Sequence, residues 1–221
     1  ELGRSALDAV ELMNVGVNYL REHMPPGARV HYAYLDAGGT APNVVPAKAV
    51  VRQLIRTKRL RDLNALVERV RNIAGRAALM TGTRVEATVV SAVSDLLGNR
   101  VLEEAMQASL DRLGPVDFDA ADVPFAEAIR ATLTEDHIAD TFRQLGRPVA
   151  RDLALCDFVV PLDAGGEVSM GSTDVGDVSW TVPTVQAWVA TCAIGTPFHS
   201  WQLTAQGKMP AAHKGMVHAA K

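Results

Sequence analysis

The sequence predicts a mixed fold of the α/β type, more specifically α+β, and three observations support that prediction. Two segments among residues 1–94 repeat their apolar side chains with a helical period. Three other segments of that half alternate or concentrate β-branched residues as strands do. After Asp95, helices and short apolar segments follow without a self-contained pattern. Since 48% of the 221 residues are hydrophobic, we expect packed cores, in two domains spanning residues 1–94 and 95–221.

The first predicted helix covers residues 5–23. Ser5 is suited to cap it, and a stripe of apolar side chains follows at helical spacing. That stripe contains Leu7, Val10, Val17 and Leu20. The helix ends at "MPPG", because proline and glycine interrupt helices. The next segment, "ARVHYAYLD", places Val30, Tyr32 and Tyr34 on one face and predicts a strand.

The rest of the first half completes a recognisable order of elements. Residues 43–56, "NVVPAKAVVRQLIR", predict a second strand, in which Pro46 indicates an edge position or a bulge. The clearest helix covers residues 58–80, and residues 84–93 alternate as a third strand. The order α-β-β-α-β lacks one leading strand of the ferredoxin-like unit β-α-β-β-α-β. We expect that missing first strand upstream of the first residue.

The second half mixes helices with short strands. Predicted helices cover residues 100–113, 125–133 and 135–145, and a last helix begins near Pro210. Short buried strands are predicted at residues 157–163, "DFVVPLD", and 184–191, "TVQAWVAT". These strands do not complete a sheet by themselves. We therefore expect this half to be part of a larger α/β domain.

Composition narrows the classes of function. A net charge of −3 argues against a nucleic-acid partner, and no apolar run reaches the ~18 residues of a membrane span. Cys156 and Cys192 do not make a disulfide framework, and no signal peptide opens the chain. The cytoplasm is therefore the expected compartment. The start at Glu1 and the helical ending "AAHKGMVHAAK" indicate a fragment of a longer protein.

Two polar segments carry the candidates for chemistry. In "GSTDVGDVSW", Asp174 and Asp177 suit a metal, a partner histidine or loop amides, and such loops are more often simple turns. In "GTPFHSW", His199 lies on a turn restrained by Gly195 and Pro197. That placement suits a metal ligand or an acid/base residue, and a structural hydrogen bond explains it equally well.

Asn43 and Arg56 bracket the predicted second strand. A planar guanidinium suits a bidentate carboxylate, although a solvated arginine at a strand end is the more common case. The two residues are 13 positions apart, so a regular strand would place them on opposite faces. A bulge near Pro46 would bring them to the same side.

Two long segments resemble one enzyme family. The stretch from "GRSALDAV" through "GGTAPNVVPAKAVVRQLIR" resembles the dimerisation, or lid, domain of the metal-dependent aminoacylase/carboxypeptidase amidohydrolases. The stretch from "GSTDVGDVSW" through "GTPFHSWQLTAQGKMPAAHKGM" resembles the branch of that family that acts on aroyl-glutamates. The resemblance implies a ferredoxin-like lid inserted in an α/β metallohydrolase catalytic domain, of which residues 95–221 would be the C-terminal part.

The resemblance also implies an activity and partners. The expected enzyme cleaves the amide bond of an N-acyl or N-aroyl amino acid such as p-aminobenzoyl-glutamate. Two divalent ions, zinc or manganese, would activate a water, with a glutamate as general base. The family's other metal ligands and that glutamate have no counterpart here, so we expect this chain alone to bind no metal and to be inactive. A homodimer is implied, and a second hydrolase subunit is a further partner to consider.

Residue by residue, the resemblance assigns roles within this chain. His199 matches the C-terminal metal-ligand histidine, and Asn43 and Arg56 match lid residues that contact the substrate carboxylate. The residues that match the loop beside the substrate are Ser172, Thr173 and Asp174. The alternative function is a non-catalytic ferredoxin-like dimerisation or regulatory ligand-binding module. Such a module would not need "GSTDVGDVSW" (residues 171–180, the Gly/Ser/Asp loop) or "GTPFHSW" (residues 195–201, the histidine turn).

Overall fold

A computed structural model describes residues 3–165 and 171–221. The chain forms two compact units. The first unit comprises residues 1–96 and 172–177, and the second comprises residues 97–171 and 178–221. The expected division into domains 1–94 and 95–221 stays a prediction.

The first unit contains two helices and a β-hairpin. Its elements are α1 (Ala6–Leu20), a 3-10 turn (Arg21–His23), β1 (Arg29–Asp36), β2 (Val50–Arg56) and α2 (Leu60–Thr81). Ser5 caps α1, because its Oγ accepts a hydrogen bond from the backbone N–H of Asp8 at 3.1 Å. At the end of α2, Gly82 takes the left-handed conformation with φ at +64°, which glycine adopts without strain. Both helices occur where the sequence predicts them.

The sheet of the first unit is an antiparallel pair. Its register runs from Arg29 opposite Arg56 to Asp36 opposite Val50, with one irregularity between Tyr34 and Asp36. Within the residues that the structure describes, this is the one sheet. Helices combined with a small antiparallel sheet confirm the α+β class.

One apolar core joins α1, α2 and the hairpin. Its buried members are Met13, Val17, Leu20, Ala28, Val30, Leu66, Val70, Ala74 and Ala77. Val17 and Leu20 are buried as predicted, whereas Leu7 and Val10 are only half-buried. The two helices pack closely at Gly16, where an added Cβ would lie 2.7 Å from Cγ2 of Ile73. The absence of a side chain at Gly16 permits this approach.

Helices supply the remaining regular structure. They are α3 (Arg100–Leu113), α4 (Val123–Arg130), α5 (Glu135–Gln144), α6 (Val175–Ser179), α7 (Trp201–Gln206) and α8 (Pro210–Ala219). At α5, Thr134 Oγ1 accepts from the His137 backbone N–H at 3.3 Å, and His137 Nδ1 accepts from the Thr134 N–H at 3.4 Å. This reciprocal capping box fixes the start of the helix. The sequence did not predict α6 and α7.

The described residues of the second unit include two small apolar clusters and a lysine that bridges two carboxylates. The first cluster consists of Ala126, Ile129, Ala154, Leu155 and Ala193, and the second of Ile138, Phe142 and Ile194. Lys214 of α8 bonds the carboxylates of Asp119 at 2.6 Å and Asp122 at 2.5 Å. The hydrogen bond to Asp119, followed by that to Asp122, raises the pKa of Lys214. The lysine thus ties α8 to the segment before α4.

Several predicted strands are wrong. Residues 84–93, 157–163 and 184–191 belong to no strand, so the predicted order α-β-β-α-β lacks its third strand. Three of the four valines of residues 84–93 face solvent: Val85, Val89 and Val90 are exposed by 48%, 61% and 76%. A strand needs a neighbour to exchange backbone hydrogen bonds with, and β-branched composition alone does not supply one.

The second strand begins later than predicted. β2 starts at Val50 rather than at residue 43. The carbonyl of Pro46 accepts a hydrogen bond from the N–H of Ala6 at 2.8 Å, and proline has no N–H for a strand ladder. The segment before Val50 is therefore held by the start of α1 rather than by β1.

In the first unit, Asp177 holds the chain at Ser94. Its Oδ1 accepts a hydrogen bond from the Ser94 N–H at 2.9 Å, and a bond from the Ser94 side chain contributes most to lowering the pKa of Asp177. A Cβ at Gly176 would lie only 2.1 Å from the carbonyl oxygen of Ser94. Glycine is therefore required for this approach.

Among the residues described, no helix combines the length and the apolar character needed to cross a membrane.

We predict that Leu66→Ala lowers the free energy of unfolding by about 2–5 kcal/mol, because it removes a buried side chain and leaves a cavity. Leu66 is 1% exposed, whereas Leu79, on the same helix, is 70% exposed. The control Leu79→Ala should change the free energy of unfolding by less than about 0.5 kcal/mol. Urea denaturation followed by circular dichroism measures both. Equal losses would contradict the core assigned here.

We predict that Asp177→Asn speeds amide hydrogen exchange at Ser94 at pH 7, because the charged acceptor is lost. The folded pKa of Asp177 is lowered, so its stabilisation is complete above the unfolded value of about 4. It is lost as the pH falls through the lowered folded pKa. The variant should lack this acid dependence. Asp174→Asn, in the same loop, should leave exchange at Ser94 unchanged, and an equal effect there would refute the assignment.

Candidate functional site

The Gly/Ser/Asp loop leads into the short helix α6. Thr173 Oγ1 accepts from the Val175 N–H at 3.3 Å and lies 3.5 Å from Oδ1 of Asp174. The Asp177 N–H then bonds the carbonyl of Asp174 at 3.1 Å. Ser172 and Asp174 are exposed, and Thr173 is half-buried. The side chains of Ser172 and Asp174 are therefore accessible to a ligand, whereas Thr173 Oγ1 is bonded within the loop and Asp177 holds Ser94.

His199 lies on a turn directly before α7. Ser200 caps that helix, because its Oγ accepts from the Leu203 N–H at 3.3 Å and donates to the Pro197 carbonyl at 2.6 Å. His199 itself is exposed. The backbone on its C-terminal side is thus fixed, and the imidazole extends from it into solvent.

The N-terminal side of the turn is packed into the second unit. Gly195 has a φ of +94°, and a Cβ there would lie 3.0 Å from Cγ1 and 3.2 Å from Cα of Ile138. A side chain at this position would be both strained and crowded. The Ile194 N–H donates to the Ala154 carbonyl at 2.9 Å. Restraint by Gly195, which the sequence predicts, is thus present in the structure.

Aromatic side chains lie next to the histidine. The rings of Trp188 and Phe198 stack with centroids 5.7 Å apart and an angle of 26° between their planes. Trp188 is 71% exposed and Phe198 is 61% exposed. Burial raises the pKa of the Cys192 thiol, which makes it a poor nucleophile at neutral pH. His199, in contrast, is exposed.

Asn43 and Arg56 occupy different kinds of backbone. Asn43 is exposed in a turn that the Val44 N–H closes onto the Ala41 carbonyl at 3.1 Å. Arg56 is half-buried at the end of β2, opposite Arg29. Because Asn43 lies outside β2, neither the faces of the strand nor a bulge near Pro46 decides how Asn43 and Arg56 are placed.

The residues that the structure describes do not fit a two-metal site by themselves. In residues 3–165 and 171–221, no group of three or more His, Cys, Asp or Glu side chains is placed to hold an ion. His199 offers one nitrogen donor, whereas zinc sites in proteins use three or four protein ligands. Of the predicted site residues, Thr173 and Asp174 are in direct contact.

Two residues of this region escaped sequence reasoning. Gln206, the last residue of α7, is 4% exposed and bonds the backbone of the histidine turn. The sequence pattern pairs Asp177 with Asp174, whereas in the structure Asp177 accepts a hydrogen bond from the Ser94 N–H and so stabilises the fold. A buried glutamine on a short helix leaves no pattern in the sequence, and only the position of Ser94 distinguishes the two aspartates.

Comparison with known proteins gives relatives of one kind. The chain is 46% identical to a subunit of the p-aminobenzoyl-glutamate hydrolase of Escherichia coli K12, over 230 aligned positions that cover all of the chain. It is 32% identical over 84 residues to the Xaa-Arg dipeptidase of Mus musculus and 31% identical to that of Homo sapiens, each covering 38% of the chain. No protein-family model matches the chain.

The chain spans only part of the length of each of these relatives. It spans 48% of the bacterial hydrolase subunit and 19% of each dipeptidase. The longer match contains both the Gly/Ser/Asp loop and the histidine turn, because it covers the whole chain. The resemblance predicted from the sequence motifs is therefore confirmed: this chain is similar, from end to end, to a hydrolase subunit of the p-aminobenzoyl-glutamate hydrolase type.

Proposed function

We propose that this chain is part of a metal-dependent amidohydrolase that cleaves the amide bond of an N-acyl or N-aroyl amino acid, such as p-aminobenzoyl-glutamate. The observation that carries the proposal is the 46% identity, over the whole chain, to the p-aminobenzoyl-glutamate hydrolase subunit of Escherichia coli. The shorter matches, to Xaa-Arg dipeptidases, also concern enzymes whose names denote cleavage of an amide bond.

His199 is the residue that we assign to a metal. Its imidazole is exposed on a turn fixed on both sides, and imidazole nitrogen is a good ligand for zinc. The remaining donors for two divalent ions, and the general base, would come from outside the residues described. On this proposal, the described part of the chain contributes a ligand and no catalytic acid or base.

Substrate contacts are assigned to two regions of the first unit. Arg56 would bind the glutamate carboxylate, because the guanidinium offers two parallel N–H donors to a carboxylate. Asn43, in an exposed turn, would contribute an amide to the same group. Ser172, Thr173 and Asp174 would line the substrate, which is supported by the exposure of Ser172 and Asp174.

We further propose a ferredoxin-like lid that mediates a homodimer. Among the residues described, the sheet has two strands, so each strand has one edge without a neighbouring strand, and Val85, Val89 and Val90 are exposed. Open strand edges and exposed apolar side chains favour pairing with another strand. The relative's name denotes a subunit, so a second hydrolase subunit is another proposed partner. Two free cysteines support a cytoplasmic location.

We predict that Arg56→Lys in the full-length protein raises KM for p-aminobenzoyl-glutamate by about tenfold or more, because lysine keeps the charge but loses the bidentate geometry. An analogue with an amide in place of the terminal carboxylate should show a much smaller change. Steady-state kinetics with both substrates measures the difference. Equal changes would refute a carboxylate contact.

We predict that His199→Ala in the full-length protein lowers both the metal content and kcat/KM, each by about 100-fold or more, because an open site binds its ion weakly. His213→Ala, an exposed histidine on α8, is the control and should retain both. Elemental analysis and hydrolysis of p-aminobenzoyl-glutamate measure the two effects. A His199→Ala protein with full metal content and activity would exclude His199 from the site.

A further inference from the structure

Gln206 bonds the backbone of the turn that leads to His199. Its Oε1 accepts from the Ala193 N–H at 2.7 Å. Its Nε2 donates to Thr196 Oγ1 at 3.1 Å and to the Gln202 carbonyl at 3.0 Å. The side chain is 4% exposed, and all three of these bonds are made within the second unit. A buried amide that is satisfied in this way fixes its partners more specifically than an apolar side chain does.

These bonds close the segment between Ala193 and Gln206 into a ring. Gln206 is the last residue of α7, and its side chain bonds the backbone of Ala193, where the ring begins. Within the ring, Thr196 Oγ1 donates to the Ala193 carbonyl at 2.6 Å, which tightens the turn further. Ser200 links the other part of the turn to the first residues of α7. His199 lies between these two attachments.

The ring is also attached to the rest of the second unit. Ala193 belongs to one buried cluster and Ile194 to the other, so two neighbouring residues fix the start of the turn in the core. Gln202 Nε2 donates to Thr132 Oγ1 at 3.3 Å. The side chain of His199, in contrast to these anchored residues, is exposed. The arrangement restrains the backbone and leaves the imidazole free to contact a partner.

We propose that Gln206 is a positioning residue: through Ala193 and Thr196 it holds the backbone of the turn, and with it the point from which the His199 imidazole extends, in one position for the hydrolytic reaction. This inference rests on the proposed function of His199. It assigns Gln206 no contact with substrate. The geometry indicates an effect on the reacting complex rather than on substrate affinity, because a displacement of about 1 Å in a reacting group can lower a rate about 100-fold.

The test uses the full-length protein with Gln206→Met, which keeps the size of the side chain and removes all three hydrogen bonds. The matched control is Gln144→Met, at the exposed last residue of α5. A second, milder variant, Thr196→Val, removes one partner of Gln206. For each protein we would measure Tm, kcat and KM for p-aminobenzoyl-glutamate, and hydrogen exchange of the peptide covering residues 193–200.

The expected result separates positioning from stability. In Gln206→Met, exchange in residues 193–200 should be at least about tenfold faster, since a buried hydrogen-bonded anchor is lost. The kcat of the folded enzyme should fall about 10–100-fold with KM within about twofold. Thr196→Val should shift both in the same direction by less, and the double variant should lose less than the sum because both changes break one network.

Each of the following results would overturn the inference. The first is a Gln206→Met protein with a lower Tm but with the kcat and exchange of Gln144→Met, since Gln206 would then be only structural. If Gln206→Met does not fold, unchanged kcat in Thr196→Val is the second. The third is full activity in His199→Ala, which would refute the proposed function as well. Loss of activity in His199→Ala with normal Gln206→Met kinetics would refute this inference alone.

Discussion

A β-strand requires a neighbour that exchanges backbone hydrogen bonds with it, and this requirement governs the structure of the chain. Among the described residues, β1 and β2 pair with each other and neither pairs with a third strand. Residues 83–99 form neither helix nor strand and keep Val89 and Val90 largely in solvent. Unpaired backbone groups must remain hydrated, because burying them without a partner costs several kcal/mol. The apolar faces of α1 and α2 therefore pack against each other and against the hairpin.

The same requirement explains which elements the sequence could predict. Helices satisfy their backbone bonds locally, so Ser5 and Gly82 mark the ends of α1 and α2 correctly. Residues 84–93 and 184–191 have the composition of strands, but a strand is a property of two segments. The pattern shows that a segment can pair, and it does not show whether a partner is present. The late start of β2 has a local cause, since Pro46 bonds Ala6 through its carbonyl.

The candidate site divides along similar lines. The turn around His199 could be identified from a short motif, because Gly195, Pro197 and Ser200 act within a few residues of it. Gln206 could not be identified in this way, because its bond to the Ala193 N–H depends on how the chain folds between the two residues. Asp174 and Asp177 are three positions apart and chemically identical, yet only the second one meets Ser94, which lies 83 residues away in the sequence. Roles that depend on distant partners are not visible in a local pattern.

A single donor on a restrained turn has a definite physical consequence. The entropy cost of ordering the His199 backbone is met when the second unit folds, so binding of an ion need not order it again. One imidazole still binds an ion weakly, and affinity arises only when further donors converge on the same point. A rigid ligand makes that convergence demanding, because a misplaced donor cannot be corrected by movement of the turn. If His199 is a ligand as proposed, Gln206 would matter most in the assembled site, where the position of His199 must match ligands that this part of the chain does not supply.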